Sequence, residues 1–319
     1  MVTDNNNHPA IRIEGLNKHY GDVHAVRDLD LIVPNGSIFG FLGRNGAGKT
    51  TTIRLVTGLA RPDSGRAWIG GVETTNFDSR AQSGFGYLPQ EPAFYGWMTT
   101  TEYLDYTARL FQMGQPARRE RVAELLELVD LANVARRKIG GFSGGMKQRL
   151  GLAQALLHQP PVIILDEPMA GLDPAGRRDV LNLLDRLRRT TTVFFSTHIL
   201  ADVERVCDTV GIVHEGRLIE VADREELLSR FTTDVAVLQV RPEVAEQLRP
   251  LADDLQTQPW VNSINLEGPV IRVNAADIDA GQLLLLPLVV KHNIPLLKFE
   301  WVRPNLEEIF LNLSVEGGK

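Results

Sequence analysis

The chain has 319 residues, enough for one large domain or two ordinary ones, and its 43% hydrophobic residues can supply a sizeable core. Its net charge of −6 argues against a nucleic-acid partner that is held mainly through phosphate contacts. Cys207 is the single cysteine, which excludes a disulfide within the chain and is typical of a reducing compartment.

Hydropathy gives no sign of a targeting or membrane-spanning segment. Residues 1–10 are polar and lack the apolar run of a signal peptide. The most apolar stretch, residues 283–290, contains Pro287 and stops at Lys291, so it is too short to span a bilayer. We therefore expect a chain that is soluble by itself and that needs a partner for any role at a membrane.

The first predicted elements lead to a glycine-rich loop. Residues 11–16 alternate in polarity and predict an edge strand, and residues 29–33 predict a second strand. Residues 38–42 are a continuous apolar run, which is typical of a buried strand, and a helix is predicted from about Thr51 to Gly58. The segment between this strand and this helix reads G-x-x-x-x-G-K-T, the pattern of a phosphate-binding loop.

The loop has the chemistry that a polyphosphate requires. Its nine residues are Gly43, Arg44, Asn45, Gly46, Ala47, Gly48, Lys49, Thr50 and Thr51. Glycines let the backbone approach the phosphates, and the N-terminus of the following helix adds positive potential. The Lys49 ammonium can reach the β- and γ-phosphates, and the Thr50 hydroxyl can bind Mg²⁺. The alternative, an accidental glycine-rich turn, is disfavoured by the order of strand, loop and helix.

Further along the chain, predicted helices alternate with apolar strands. The elements are a strand at 85–90, a helical block within about 91–159, a strand at 162–165, a helix at 175–189, a strand at 193–195 and a hairpin of 210–213 with 218–221. Such alternation around a phosphate loop predicts an α/β fold with a mostly parallel sheet.

Two carboxylates follow the predicted buried strand 162–165. Asp166 is placed to hold Mg²⁺ directly or through water. Glu167 is a candidate general base that orients and deprotonates an attacking water, a role worth roughly 10²–10⁴-fold in rate. A solvated turn is the alternative for an isolated Asp-Glu pair, but the preceding phosphate loop favours the catalytic interpretation.

Three further polar or aromatic positions lie at the ends of predicted elements. His198 follows the strand 193–195 and can donate a hydrogen bond to a γ-phosphate. Gln90 ends the strand 85–90, where it can reach the metal or the attacking water. Tyr20 offers a flat face on which adenine can stack. Gln90 and Tyr20 carry little information when each is taken alone.

The sequence Ser143-Gly144-Gly145 predicts a second anion site. Ser143 is a good helix N-cap, and capping alone is the simpler interpretation. The same geometry lets the glycines and the N-terminal amides approach an anion closely. Because Lys49 and Mg²⁺ already serve one γ-phosphate, a second site suggests binding from a partner subunit.

Taken together, these motifs resemble those of the ATPase subunit of an ATP-binding cassette (ABC) transporter, in the same order along the chain. The corresponding features are the adenine-stacking aromatic (Tyr20), the Walker A loop (43–51), the Q-loop (Gln90), the signature (142–148), the Walker B strand with its catalytic Glu (162–167), the D-loop (171–173) and the switch histidine (His198). Phe142, Met146 and Met169 depart from the residues usual in the family, and none of these changes removes a phosphate or metal group.

The resemblance implies a P-loop NTPase core with a helical subdomain, and ATP and Mg²⁺ as cofactors. The matching residues are catalytic (Lys49, Gln90, Glu167 and His198) or bind the metal (Thr50, Gln90 and Asp166). It also implies a head-to-tail dimer, most simply of two identical subunits, with Ser143-Gly144-Gly145 of one subunit facing the ATP of the other. Transmembrane permease subunits would hold this dimer at the cytoplasmic face of the membrane. Residues 91–98 would either dock against the permease or only pack within the subdomain.

Near residue 231 the pattern changes, which predicts domains at 1–230 and 231–319. Strands at 235–240, 260–266, 270–273 and 296–302, with helices at 242–255 and 277–290, give the order β-α-β-β-α-β of a ferredoxin-like fold. Alternation of Leu297, Phe299 and Trp301 with polar residues predicts one buried face for the last strand. A final helix is predicted from Pro304, and residues 303–311 are similar to the closing segment of the accessory domain in ATPases of ABC-2-type exporters.

We therefore predict an ATP-hydrolysing subunit that powers a membrane transporter, of the ABC-2 exporter type. One alternative is a non-transport ABC ATPase, although the chain has neither the second cassette nor the long coiled-coil insertion typical of such proteins. The other is a regulatory module that binds ATP without hydrolysing it, and the intact Glu167 and His198 argue against it.

Overall fold

The computed structural model describes residues 8–76, 84–226 and 235–302. The chain divides into two compact units, Met1–Arg224 and Glu225–Lys319. Each unit has its own hydrophobic core, one of which surrounds the phosphate loop. The predicted final helix from Pro304 and the segment 303–311 lie outside the described residues.

The first unit combines two sheets with a set of helices. Its described strands are β1 (Ile11–Tyr20), β2 (Val23–Val33), β3 (Ile38–Leu42), β4 (Ser64–Ile69), β5 (Val72–Glu73), β6 (Phe85–Leu88), β7 (Val162–Leu165), β8 (Thr192–Thr197), β9 (Thr209–His214) and β10 (Arg217–Asp223). Its described helices are α1 (Lys49–Val56), α2 (Thr100–Leu110), α3 (Gln115–Leu128), α4 (Gly144–Ala155), α5 (Pro174–Arg186) and α6 (Leu200–Val206).

The larger sheet positions the site. Its strand order is β10-β9-β3-β8-β7-β6, and all neighbours are parallel except β10, which pairs antiparallel with β9. All residues of β3, β7 and β8 are buried, as expected for central strands that are covered on both faces. Since parallel strands end at the same edge of a sheet, the segments after β3, β6, β7 and β8 come together there. This confirms the predicted α/β fold.

The smaller sheet is antiparallel, in the order β2-β1-β4-β5. The prediction that residues 11–16 form an edge strand was wrong, because Ile11 pairs with Val33 on one side and with Ile69 on the other. Alternating polarity indicates only that one face of a strand is buried, and an inner strand of a half-buried antiparallel sheet has the same pattern.

The helical subdomain consists of α2, α3 and α4. Thr99 and Glu102 form a capping box at the start of α2, and Ser143 caps α4 by accepting a hydrogen bond from the Met146 N–H at 3.3 Å. Fully buried leucines of the three helices, such as Leu104, Leu125 and Leu150, supply their packing. These caps fix where α2 and α4 begin. The N-terminus of α4 is the second anion site that the sequence predicts.

The second unit contains β11 (Val235–Val240), α7 (Leu248–Gln256), β12 (Val261–Glu267), β13 (Val270–Ala275), α8 (Ile278–Lys291) and β14 (Leu296–Val302). Its sheet has the order β12-β13-β11-β14, and neighbours are antiparallel. The predicted β-α-β-β-α-β order is confirmed. The predicted buried face of β14 is wrong at Leu297, which is 56% exposed, because the register with β11 shifts between Lys298 and Leu296.

Among the described residues, none of the helices combines the length and the apolar character that are needed to cross a bilayer.

Candidate nucleotide site

The phosphate loop joins the end of β3 to the start of α1. Gly48, the N-cap of α1, has φ +99°, and a Cβ atom there would lie 2.4 Å from the carbonyl oxygen of Ala25. Only glycine adopts this conformation and leaves this space without strain. The Gly43 N–H donates to the carbonyl oxygen of Thr197 at 3.2 Å, which ties the loop to the end of β8. The loop is therefore held in shape by the strand beside it.

Lys49 lies at the centre of the site and is 6% exposed. Its Nζ donates to the carbonyl oxygens of Gly43 at 2.8 Å and Arg44 at 3.2 Å. The same atom lies 3.1 Å from Oε1 of Glu167, which is 7% exposed. A buried ammonium needs such partners, since the cost of removing it from water is large. The predicted phosphate-binding cation and the predicted general base are thus in direct contact.

The second predicted carboxylate, Asp166, is 1% exposed and accepts hydrogen bonds from two hydroxyls. Oγ1 of Thr50 lies 3.2 Å from Oδ1 of Asp166, and Oγ of Ser196 lies 2.7 Å from the same atom. Burial raises the pKa of the Asp166 carboxyl, and these two hydrogen bonds oppose that rise. Ser196 also accepts a hydrogen bond from the Glu167 N–H at 2.9 Å. It therefore contacts both the Asp166 carboxylate and the backbone that carries Glu167.

His198, directly after β8, completes the group. Its Nδ1 lies 2.9 Å from Oε2 of Glu167, so the two oxygens of that carboxylate contact different cationic or donor groups. Glu167 has φ +47°, a left-handed conformation that a non-glycine residue adopts at some cost. The turn after β7 therefore presents the Glu167 carboxylate between Lys49 and His198.

These residues lie beside an open cavity of about 580 Å³. Its lining residues are Val23, His24, Ala25, Arg27, Asn45, Gly46, Gly48, Lys49, Thr50, Thr51, Gln90, Glu167, Glu215 and Gly216. Gln90, two residues after the end of β6, lines the cavity. The volume is in the range of small-molecule sites.

Sequence reasoning missed several of the residues that line this cavity. His24, Arg27, Glu215 and Gly216 belong to two hairpins that lie against the phosphate loop, since the Gly216 N–H donates to Ala47 O at 3.0 Å. The His24 ring stacks on His19, with the ring centroids 3.7 Å apart. None of these residues is part of a recognisable motif, so the sequence offered no signal for them. Ser196 could have been found from its position, because it lies only two residues before His198.

Several predicted site residues are not among those that line the cavity: Gly43, Arg44, Ala47, Asp166, His198, Tyr20 and the Ser143-Gly144-Gly145 segment. Tyr20 ends β1, is 50% exposed, and has Nζ of Lys18 5.4 Å from the centre of its ring. The Ser143-Gly144-Gly145 segment starts α4, and a Cβ atom at Gly145 would lie 3.3 Å from Leu172. This segment is thus brought next to the predicted D-loop rather than to the phosphate loop of its own chain.

A metal at this site would be held by few protein ligands. Among the residues that the structure describes, there is no group of three or more His, Cys, Asp or Glu side chains that could hold a metal ion. Thr50 and Asp166 bring a hydroxyl and a carboxylate within 3.2 Å of each other. This set fits Mg²⁺, which is usually bound by one or two protein oxygens together with phosphates and water.

Comparison with known proteins agrees with this geometry. The family model described as "ABC transporter" matches residues 26–170. The uncharacterized ABC transporter ATP-binding protein YxlF of Bacillus subtilis (strain 168) is 40% identical over 304 residues, which cover 95% of this chain and 99% of YxlF. The linearmycin resistance ATP-binding protein LnrL of the same organism is 33% identical over 307 residues, covering 95% of this chain and 98% of LnrL.

A solved structure shares the fold of about two thirds of this chain. It is the dimeric post-hydrolysis state of an ATP-binding cassette with ADP and Pi bound. Its TM-score is 0.61 at 23% identity, and the match covers 67% of this chain and 98% of that chain. The chain belongs to the family of ABC transporter ATP-binding proteins. It is an ATP-binding and ATP-hydrolysing subunit, and proteins of this kind work with transmembrane permeases.

Proposed function

We propose that two copies of this chain form an ATP-driven pair that powers an exporter, and that each ATP is hydrolysed beside Glu167. The observation that carries this proposal is the contact of the Glu167 carboxylate with both Lys49, at 3.1 Å, and His198, at 2.9 Å. One carboxylate between two groups that bind phosphate is well placed to act on water at the γ-phosphate.

In the proposed reaction each of these side chains has one task. Lys49 binds the β- and γ-phosphates, and His198 donates a hydrogen bond to a γ-phosphate oxygen. Glu167 orients a water molecule and accepts its proton as the new O–P bond forms and the bond to ADP breaks. Gln90, at the cavity wall, orients the same water or binds the metal. Thr50 and Asp166 would hold Mg²⁺, which neutralises charge that develops on the phosphates.

The second copy is proposed from the position of Ser143-Gly144-Gly145. This segment begins a helix and is not among the residues that line the cavity of its own chain. A helix N-terminus with two glycines suits an anion, and Ser143 can donate a further hydrogen bond to it. We therefore place it against the γ-phosphate of a partner copy. The related cassette that is dimeric with ADP and Pi bound supports this arrangement.

The exporter and its permease are proposed from two further features. LnrL, which matches nearly the whole chain, is named for linearmycin resistance, and residues 303–311 resemble the closing segment of ABC-2 exporter ATPases. Tyr95 and Trp97 follow Gln90 closely and are 52% and 67% exposed, whereas Phe94 packs edge-on against Tyr103. We propose that Tyr95 and Trp97 dock against a permease on the cytoplasmic side of the membrane. The accessory domain would begin after residue 230.

The test uses the Glu167→Gln variant, which keeps the shape of the side chain and removes the base. Size-exclusion chromatography with light scattering is run with and without ATP and Mg²⁺. We expect a monomer without ATP and a dimer with it, because hydrolysis can no longer separate the copies. The matched control, Glu167→Gln with Lys49→Ala, removes the phosphate contact and should stay monomeric in both conditions.

Two results would contradict parts of this proposal. A Glu167→Gln protein that binds ATP and stays monomeric at high concentration would exclude a nucleotide-closed homodimer of the free chain. Near-normal ATP turnover by the same variant would exclude Glu167 as the base.

A further inference from the structure

A buried carboxylate that the proposed reaction does not use lies four residues after His198. Asp202 is in the first turn of α6 and is 1% exposed. Carboxylates are rarely buried to this extent unless they are paired, since removing the charge from water is costly. The contacts of Asp202 with its partners are therefore kept despite the free-energy cost of burying its charge.

On one side Asp202 is hydrogen-bonded to the segment that carries His198. Oγ1 of Thr197 lies 3.3 Å from Oδ2 of Asp202 and accepts a hydrogen bond from the Ile199 N–H at 3.0 Å. The Asp202 N–H donates to the Ile199 carbonyl oxygen at 3.3 Å. The residues immediately before and after His198 are thus both connected to Asp202. A movement of His198 towards or away from a phosphate would displace this carboxylate.

On the other side Asp202 forms an ion pair with a residue of α5. Nε of Arg177 donates to Oδ1 of Asp202 at 2.6 Å, and the Arg177 side chain is 28% exposed. The Arg177 N–H donates to the carbonyl oxygen of Asp173, whose side chain caps the helix through the Gly176 N–H at 3.0 Å. The ion pair therefore holds the first turn of α5, which is the turn that follows the D-loop.

The start of α5 leads in turn to the second anion site. Leu172, next to the capping Asp173, lies 3.3 Å from the position that a Cβ atom at Gly145 would occupy. A continuous set of contacts therefore runs from His198 through Asp202 and Arg177 to Leu172 and Gly145. In a head-to-tail pair the first of these residues serves the chain's own ATP, and the last serves the partner's ATP.

We propose that the Arg177–Asp202 ion pair couples the two nucleotide sites of the dimer. This inference rests on the proposed function, which assigns His198 to one site and Gly145 to the other. The pair has no contact with substrate in this scheme, so both residues are positioning residues. Since a buried ion pair with good geometry resists separation, the His198 segment and the start of α5 shift together. Occupation of one site then favours the arrangement of Gly145 that closes the other.

The test is made in the Glu167→Gln background, in which hydrolysis does not disturb the equilibrium. The variants are Asp202→Asn, Arg177→Gln and the double variant, and the control is Arg178→Gln on the next, exposed position of α5. Two quantities are measured: the affinity of the monomer for ATP at low protein concentration, and the ATP concentration that gives half-maximal dimer. Asp202→Asn is close in shape to the native residue and leaves the partly exposed Arg177 free to reach water.

Loss of coupling should raise the ATP concentration for half-maximal dimer at least about fivefold, the lower end of ordinary coupling between sites. The affinity of the monomer for ATP should change by less than about twofold, because no phosphate contact is altered. Free-energy changes at distant, independent sites usually have little effect on one another. Because the pair acts as a unit, the double variant should lose no more than either single variant. Arg178→Gln should behave like the parent.

The outcomes separate this proposal from the proposed function. If the parent dimerises with ATP and a folded Asp202→Asn protein gives the same titration, the coupling role is wrong. An equal loss of ATP affinity in the monomer would show that the pair only supports the local fold. A parent that does not dimerise at all contradicts the proposed function, and the coupling is then refuted with it. If Asp202→Asn does not fold, the double variant decides, since it leaves neither charge of the ion pair without its partner.

Discussion

The contact between Lys49 and Glu167 predicts that a base-removing substitution will tighten ATP binding. If Lys49 binds the ATP phosphates as proposed, they compete with the Glu167 carboxylate for its ammonium group, because Nζ of Lys49 lies 3.1 Å from Oε1 of Glu167. Glu167→Gln removes this competing negative charge, which would also lie beside the γ-phosphate. The affinity for ATP should therefore rise while turnover falls.

The size of the effect follows from the geometry. At 3.1 Å and an effective dielectric constant of about 20, the gross attraction between the two charges is about 5 kcal/mol. Most of this is offset by desolvation, and the net contribution of a hydrogen bond to a charged group is about 1.5–3 kcal/mol. Because glutamine still accepts one hydrogen bond, we expect the lower end, about a tenfold decrease in the Kd for ATP. Turnover should fall roughly 10²–10⁴-fold.

Equilibrium dialysis or calorimetry at low protein concentration measures the Kd without dimer formation. His198→Ala is the matched control, because it removes the other partner of Glu167 and leaves the Lys49 contact in place. Its affinity for ATP should stay the same or decrease, the opposite direction from Glu167→Gln. A folded Glu167→Gln protein that binds ATP no more tightly than the native chain would refute the reasoning that Glu167 and phosphate compete for Lys49.

Two further substitutions test other parts of the site. Burial raises the pKa of Asp166, so the folded chain binds this proton more tightly than the unfolded chain, and its stability falls as the pH rises above the unfolded pKa. Asp166→Asn should therefore raise the melting temperature at pH 7 and reduce its fall as the pH rises above the usual pKa of a carboxyl, while Mg²⁺-dependent hydrolysis is lost; a lower melting temperature at pH 7 would contradict this. Gly48→Ala should destabilise the chain by more than about 2 kcal/mol in urea unfolding, because its φ is +99° and its Cβ would meet Ala25. Gly46→Ala should cost less, since its φ is +83° but no atom lies within 4 Å of the added Cβ, and equal losses would show that the contact with Ala25 is unimportant.

The predicted residues that the structure brings together come mainly from short motifs at strand ends. Asp166 and Glu167 directly follow β7, Lys49 and Thr50 begin the helix after the loop that follows β3, and a parallel sheet places such positions at one edge. Local sequence is sufficient for this because the spacing within each motif fixes the geometry. The alternation of strands and helices was enough for the α/β core and for the β-α-β-β-α-β order of the second unit.

What the sequence could not predict depends on register and on contacts between distant segments. His24 and Glu215 reach the cavity only because two hairpins lie against the phosphate loop, and nothing in their local sequence records this. The exposure of Leu297 depends on a single shift in register with β11, which interrupts at this residue the alternation that the sequence shows. The inner position of β1 depends on its pairing with β4, more than 40 residues away along the chain.

In the proposed reaction, the pairing of the site's polar groups with one another links binding to catalysis. Lys49 contacts Glu167, Thr50 contacts Asp166, and His198 contacts the second oxygen of Glu167. A carboxylate that neutralises an ammonium and bonds an imidazole has little capacity left to accept a proton from water. Phosphates that take over Lys49 and His198 would release both oxygens of Glu167 at once. The base would therefore become available only when the γ-phosphate has occupied its own binding groups, which restricts proton abstraction to the complex with ATP. On this argument a ligand that reaches Lys49 but not His198 should leave one of the two contacts of Glu167 in place.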